Sequence, residues 1–202
     1  MDESRKRLFI DKKSGAKERF EIINLAAENG CNTVVFSLGD SFFKNRKKNL
    51  KYIKLIKQNN LFIEAGGRDF SLLLPRLFFI FRRDLFRMEQ GKRRLNYHFC
   101  PTNPKSIAVI AERSKYLFAR SMQMMTHPRV FHLLPSEGHE NAWCACPACR
   151  AFNPAEQYII AVNSVADALS GLDVKAKLSF MDLGLLRESE SIMPRNNMFR
   201  LS

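Results

Sequence analysis

Short apolar segments alternate with amphipathic stretches along the 202 residues, and this alternation restricts the fold more than any other feature of the chain. The segment TVVFSL at 33–38 is β-branched and almost entirely apolar, which is typical of a buried parallel strand. Residues 16–29 have apolar side chains at helical spacing, and Gly30 follows as a C-terminal stop. Strands that alternate with helices predict right-handed crossovers and a parallel α/β sheet.

Five strands are predicted in this pattern, with an irregular insertion at residues 66–103 that contains a small hairpin. The predicted strands are 7–10, 33–38, 61–65, 130–134 and 176–181, and the predicted helices begin near residues 16, 45, 103 and 153. This order fits either a doubly wound sheet or a (β/α) barrel. Neither a glycine-rich dinucleotide turn nor a P-loop is present, which argues against a nucleotide-binding enzyme.

Positive charge is concentrated in the first 120 residues. The chain has 33 Lys and Arg against 20 Asp and Glu, a net charge of +13. The cations form short clusters such as Arg5-Lys6-Arg7 and Lys92-Arg93-Arg94, separated by apolar segments. No helix-turn-helix, zinc-finger or RRM signature accompanies them, so we expect solvated faces and no specific nucleic-acid partner. A surface that binds an acidic polymer is the alternative.

The longest apolar run is FSLLLPRLFFIF at 70–81. Its twelve residues are too few to cross a bilayer, which takes about 20. The N-terminus has no apolar stretch of signal-peptide length. We therefore expect a cytoplasmic protein with no membrane partner, whose cysteines are mostly reduced.

The loop after the fourth predicted strand concentrates chemical groups. It contains Glu137, His139, Glu140 and Trp143 within seven residues. A carboxyl group that is desolvated beside a tryptophan can act as a general acid, and an aromatic ring can stack on a sugar. The alternative is an ordinary polar loop. His139 and Glu140 begin like the HExxH motif, but Trp143 replaces the second histidine, which excludes a zinc protease of that class.

Three cysteines follow this loop directly, at positions 144, 146 and 149. Cys146 and Cys149 form a C-x-x-C pair, which is half of a typical zinc site, and Cys144 adds a third thiolate. The fourth ligand would be Cys100 or His139. Two alternatives remain, namely a disulfide between Cys146 and Cys149 in an exported relative and a set of free thiols that pack the loop.

The end of the third predicted strand is a second candidate binding segment. Gly66 and Gly67 permit a close backbone approach to a ligand. Arg68 and Asp69 can hydrogen-bond hydroxyl or carboxylate groups. The alternative is a tight turn that carries a surface ion pair.

Three stretches together suggest a family. They are EAGGRDFSLLLPR, FCPTNP and HLLPSEGHENAWCACPACRAFNPAEQ. Over residues 15–182 the chain resembles bacterial proteins that carry domain of unknown function 4838. That family is similar in style to α-glucuronidases and β-hexosaminidases with (β/α)8 barrels. The resemblance implies a carbohydrate-active protein with Glu137 as general acid and Glu140 as the other candidate. It also implies that substrate is contacted by Arg68, Asp69, His139 and Trp143.

The chain is short for this architecture. A full barrel has eight strands in roughly 250 residues, and a glycosidase needs a second carboxylate, expected here on a later strand. We therefore expect residues 1–183 to form the N-terminal part of a barrel and residues 184–202 to form a frayed tail. We expect little or no catalysis from the chain alone, no required cofactor, and self-association through the exposed barrel edge. The alternative function is a small metal-stabilised binding module with a basic surface.

Overall fold

The computed structural model describes residues 5–11, 13–68, 70–96, 98–136, 142–181 and 191–201. It contains a six-stranded sheet, a two-stranded hairpin and surrounding helices. The strands are β1 Arg7–Ile10, β2 Thr33–Phe36, β3 Phe62–Gly67, β4 Met88–Glu89, β5 Lys92–Arg93, β6 Val130–Leu133, β7 Lys177–Met181 and β8 Met198–Leu201. The helices are α1 Ala16–Glu28, α2 Leu50–Gln58, α3 Phe70–Leu73, α4 Phe78–Phe81, α5 Pro104–Met122 and α6 Pro154–Ser170.

The strands of the large sheet follow one another in chain order. The order is β1-β2-β3-β6-β7-β8, and every neighbouring pair is parallel. A doubly wound sheet reverses its order at a switch point, whereas a barrel does not. The predicted α/β fold and partial barrel are therefore confirmed. The predicted hairpin in the 66–103 insertion is also present, as the antiparallel pair β4 and β5.

Two of the predicted helix starts are formed by the expected side chains. At α6, Asn153 Oδ1 accepts from the Glu156 amide at 2.9 Å, and Glu156 Oε2 accepts from the Asn153 amide at 2.8 Å. This reciprocal pair is the capping box predicted there. At α5, Pro104 occupies the first turn and Asn103 Oδ1 accepts from the Lys105 amide at 3.0 Å. Helix α2 begins at Leu50, five residues later than predicted, because turns occupy the residues before it.

One face of the sheet packs against the helices. Alternate strand residues point to this face, so the strands contribute large apolar side chains to one core cluster. The cluster also includes residues of α5 and α6. Its members include Val34, Phe36, Phe131, Leu133, Leu178, Phe180, Ile110, Leu117, Ile159, Val162 and Leu169.

A buried polar network connects three strands with the segment that begins β1. Glu64 accepts hydrogen bonds from Arg5 Nη1 at 2.9 Å, Arg7 Nε at 2.7 Å and His132 Nε2 at 2.7 Å. His132 Nδ1 lies 2.6 Å from Ser179 Oγ. Burial favours the neutral Glu64 carboxyl, but the hydrogen bonds from His132 and Arg7 outweigh it and lower its pKa to about 2. Burial lowers the pKa of His132, so we assign a neutral ring that donates to Glu64.

The end of the chain differs from the prediction. Residues 184–202 were expected to be a frayed tail, but Met198–Leu201 forms strand β8, which pairs with β7 from Leu178↔Met198 to Met181↔Leu201. The Arg7 guanidinium carbon lies 5.9 Å from the Phe199 ring centroid, so the sheet curls until its first and last strands come close. The four residues of β8 are too few to show a clear period in sequence. Pairing with the edge of β7 stabilises them as a strand.

Among the residues that the structure describes, no helix has the length and apolar character required to cross a membrane.

Candidate functional site

A cavity of about 460 Å³ opens at the carboxyl edge of the large sheet. Residues at or just after the ends of β1, β2, β3 and β6 surround it, and they include Asp11, Ser37, Gly67, Arg68 and Leu134. In barrels of parallel strands this edge is where substrates bind, because the loops that leave the strands meet there. The cavity is therefore the candidate site for a small polar ligand.

Arg68, one of the predicted binding residues, lines the cavity. Its exposed guanidinium donates from Nη1 to the carbonyl oxygen of Pro135 at 2.9 Å. This contact brings the end of β3 next to the loop that follows β6. The predicted residues Asp69, Glu137, His139 and Glu140 lie outside the described residues.

The two glycines at the end of β3 have different roles. A Cβ atom on Gly66 would overlap the backbone carbonyl of His132 on β6, and its φ of +131° is unfavourable for other residues. Gly67 lines the cavity with a φ of +142°, and a Cβ built on it would have no heavy atom within 4 Å. Both glycines line the cavity, but the close approach at Gly66 is to the backbone of the neighbouring strand.

Trp143 belongs to the protein core in this structure. Only 5% of it is exposed, and its ring stacks on His98 with centroids 4.3 Å apart. The rings of Phe70 and Phe99 contact it edge-on. The tryptophan therefore anchors the cysteine loop to the core, and its stacked face is not available to a sugar ring in this conformation.

Asp11 is a cavity residue that the sequence analysis missed. It follows β1 directly, and its Oδ1 accepts a hydrogen bond from the Lys13 amide at 2.8 Å. A carboxylate directly after a barrel strand is a recognisable signal in sequence, because that position faces the carboxyl edge. Its oxygens can accept hydrogen bonds from ligand hydroxyl groups.

A second candidate site is formed by four buried cysteines. The Sγ atoms of Cys100, Cys144, Cys146 and Cys149 all lie within 4.8 Å of one another. Cys100 Sγ lies 3.7 Å from Cys146 Sγ and 3.6 Å from Cys149 Sγ. All five cysteines of the chain are free thiols in this structure. Of the two suggested fourth members, Cys100 lies in the cluster.

Three separate segments position these thiols. Cys100 comes from the insertion, and the Cys146 carbonyl accepts from the amides of Cys149 and Arg150, both at 3.0 Å, in a tight turn. Gln157 of α6 fixes the loop, because its Oε1 accepts from the Cys144 amide at 3.0 Å and its Nε2 donates to the Cys144 carbonyl at 3.1 Å. The cluster thereby ties the insertion to the loop after β6.

Several donors point at the sulfur atoms. The Met88 amide lies 3.2 Å from Cys144 Sγ, and Arg93 Nη1 lies 3.8 Å from the same atom. Thr102 Oγ1 lies 3.0 Å from Cys149 Sγ. Hydrogen bonds from Cys144 and then Cys149 lower the pKa of Cys100, and the same contact with Cys100 raises the pKa of Cys144 and of Cys149. The cluster thus favours a thiolate at Cys100, and the thiolate is the form that binds metals.

Comparison with solved structures shows barrel enzymes that act on glycosides. A structure of the tandem GH20 catalytic modules of the pneumococcal exo-β-D-N-acetylglucosaminidase StrH aligns with a TM-score of 0.68 and 9% identity. The alignment covers 97% of this chain and 58% of the StrH chain. A second StrH structure, described in terms of N-glycan recognition and hydrolysis, has a TM-score of 0.59, 9% identity and coverages of 97% and 57%. A family GH13_31 enzyme has a TM-score of 0.51, 8% identity and coverages of 99% and 52%.

At these identities the likeness shows a glycoside hydrolase-like fold. No protein-family model matches the chain, and no curated protein does. The resemblance to the domain of unknown function 4838 is therefore not confirmed by a family match. The chain spans little more than half the length of the solved structures it matches.

Proposed function

We propose that this chain is part of a carbohydrate-active, glycoside hydrolase-like protein whose glycan site is the cavity at the carboxyl edge of the sheet. The observation that supports the proposal most directly is the position of that cavity, at the edge where barrel enzymes bind substrate. The glycoside hydrolases among its structural neighbours agree with it. Membership of the domain of unknown function 4838 belongs to the same proposal.

The polar groups at this site would provide both hydrogen-bond donors and hydrogen-bond acceptors to a ligand. Arg68 donates and Asp11 accepts, which suits the hydroxyl groups of a sugar. Asp69 and His139 are proposed as further ligand contacts. Glu137 is the proposed general acid and Glu140 the other candidate, since both follow Pro135, which Arg68 contacts.

Hydrolysis by the chain alone is not expected. A glycosidase needs two carboxyl groups on opposite sides of the scissile bond, about 5–5.5 Å apart in retaining enzymes. In the proposal the second group is on a later strand of a longer barrel. If the purified chain hydrolyses aryl glycosides and the activity disappears in Glu137→Gln, the expectation that the chain alone is inactive is contradicted.

Glycan binding tests the site itself. NMR chemical-shift changes should report weak binding of N-acetylglucosamine or its β-linked dimer, with shifts at Arg68. The affinity should fall about tenfold in Arg68→Ala, because one charge-assisted hydrogen bond is lost. Lys57→Ala, which removes a cation at the end of outer helix α2, is the matched control and should bind normally. Shifts confined to residues far from the cavity, or identical affinities for the two variants, would contradict the assignment.

The four-cysteine cluster is the second proposed function, a structural zinc site. Zinc–sulfur bonds of about 2.3 Å in a tetrahedron place the sulfur atoms about 3.8 Å apart. The Sγ–Sγ distances from Cys100 to Cys149 and Cys146, 3.6 and 3.7 Å, agree with this spacing. Burial and the surrounding donors suit a closed site that stabilises the fold without catalysis.

Metal content checks the zinc proposal. We expect one zinc ion per chain by mass spectrometry of the purified protein, and cobalt replacement should give the strong visible absorption of tetrahedral thiolate coordination. Cys146→Ser/Cys149→Ser should lose the metal. Cys31→Ser, which removes the one cysteine outside the cluster, should keep it. A metal-free wild-type protein that fails to bind added zinc would contradict the proposal.

Self-association through the barrel edge remains part of the functional proposal. Strands β1 and β8 end the described ladder. A monomer at all concentrations in sedimentation experiments would exclude it.

A further inference from the structure

The apolar run FSLLLPRLFFIF is divided into a buried and an exposed half. Phe70, Leu73 and Leu74 are buried in the core. The second half projects outward, since Leu77 is 66% exposed and Phe81 is 78% exposed. Ile80, in the same turn, is 63% exposed. An exposed cluster of large apolar residues of this kind is uncommon on a protein surface and indicates an interaction site.

Strands added to the ladder would not explain this exposure. New strands join a sheet at its free edges, which here are β1 and β8. The exposed turn lies in the connection between β3 and β6, which are neighbours in the middle of the ladder. It packs near α5 on the outer layer, where Phe78 and Tyr116 line a groove of about 560 Å³.

Cationic side chains surround the apolar tip. Arg76 and Arg83 are exposed and flank it in sequence, and the Arg83 guanidinium carbon lies 5.5 Å from the Phe79 ring centroid. Arg82 pairs with Asp84 at 3.2 Å. On α5, exposed Arg113 lies over the ring of Tyr116. The combination of protruding Leu, Ile and Phe side chains with neighbouring exposed arginines is complementary to a layered partner that is apolar inside and anionic at its surface.

We propose that the turn at residues 76–83 is a membrane-contact site that inserts Leu77, Ile80 and Phe81 into the interface of an anionic phospholipid bilayer. The arginines then lie at the level of the phosphate groups and contribute about fivefold each to affinity. The contact is peripheral and requires no spanning segment. The proposal is independent of the glycan site, which lies at the carboxyl edge of the sheet.

Vesicle sedimentation tests the proposal directly. The purified chain is mixed with vesicles of phosphatidylcholine alone or with phosphatidylglycerol added. We expect binding to the mixed vesicles, at least tenfold weaker binding to pure phosphatidylcholine, and a decline as salt is raised. The double variant Leu77→Ser/Phe81→Ser should weaken binding at least about tenfold, because two inserted side chains are lost. Val174→Ser, equally exposed at 78% but outside the turn, is the matched control and should bind normally.

Insertion itself is measured with Phe81→Trp. Its fluorescence should shift to the blue and be quenched by brominated lipid on mixed vesicles, whereas buried Trp143 should not respond. Three results would overturn the proposal. The first is that the wild type does not bind vesicles, and the second is that the Leu77→Ser/Phe81→Ser variant binds them as well as the wild type does. The third is that the wild type dimerises without binding vesicles and that the variant is monomeric, which would assign the surface to a second copy of the chain.

Discussion

Removing the proposed zinc ion from the four-cysteine cluster should lower the free energy of unfolding by about 4 kcal/mol, the value for a ligand held at a thousand times its dissociation constant. For a chain of this size that corresponds to a fall in Tm of about 10 °C. The physical reason is that thiols from two distant parts of the chain lose their common ligand. Cys100 of the insertion then separates from the loop of Cys144, Cys146 and Cys149.

Thermal unfolding with and without a chelator measures this effect. The chelator should lower the Tm of the wild type and of Cys31→Ser equally, because Cys31 lies outside the cluster. It should have no effect on Cys146→Ser/Cys149→Ser, which is destabilised from the start. A wild-type Tm that neither chelator nor added zinc changes would contradict a structural role for the metal.

Glu64→Gln should destabilise the protein by roughly 3–5 kcal/mol, since it leaves buried cations without their counter-charge. Arg5 and Arg7 both bind the Glu64 carboxylate, and their side chains are only 4% and 8% exposed. Glutamine keeps only one acceptor oxygen, and its NH2 group then faces either Arg5 or the pair Arg7 and His132, which are themselves donors. The midpoint of urea unfolding gives the change in free energy.

Glu112→Gln is the matched control, since it is the same substitution at a surface ion pair. The Glu112 side chain is 74% exposed and lies 2.7 Å from Lys115 Nζ, so its loss should cost less than about 1 kcal/mol. If Glu64→Gln proves insoluble, Ser179→Ala still tests the network, because it removes the partner of His132 Nδ1 at a cost of roughly 1 kcal/mol. Equal stabilities for Glu64→Gln and Glu112→Gln would contradict the role assigned to the network.

Acid should lower the stability of the wild-type protein, because protonation removes the negative charge of Glu64. The pKa of Glu64 is lowered from 4.5 to about 2, so its stabilising contribution is complete above pH 4.5 and is lost as the pH falls towards 2. The lowered pKa of His132 acts in the same direction from pH 6.5 downwards, because the unfolded chain binds the proton more readily. Glu64→Gln should therefore show a flatter decline between pH 4.5 and 2.

The sequence predicted the layered architecture because the period of its apolar residues differs between strands and helices. Thr33–Phe36 is β-branched and buried on both sides, and Pro104 and Asn153 begin helices through local backbone and side-chain contacts. These features depend on near neighbours in the chain. The predicted C-x-x-C pair likewise needed only local spacing.

Other features depended on distant residues and were not visible in the sequence. Strand β8 exists because it pairs with β7, and Gly66 is required because the backbone of His132 passes beside it. Trp143 resembled a sugar-stacking residue from its polar neighbours, but His98 and Phe70 enclose it in the core. The polar network around Glu64 joins segments up to 68 residues apart.

By itself, then, the sequence determined a parallel α/β sheet, an insertion with a hairpin and a cysteine-rich loop, because periodicity, helix caps and ligand spacing are local properties. The tertiary structure alone decided that Cys100 completes a four-thiol cluster and that Arg68 and Asp11 meet at one cavity. It also decided that half of the longest apolar run faces outward. Contacts between distant segments are set by how the sheet curls and how its helices pack, and no local pattern encodes them.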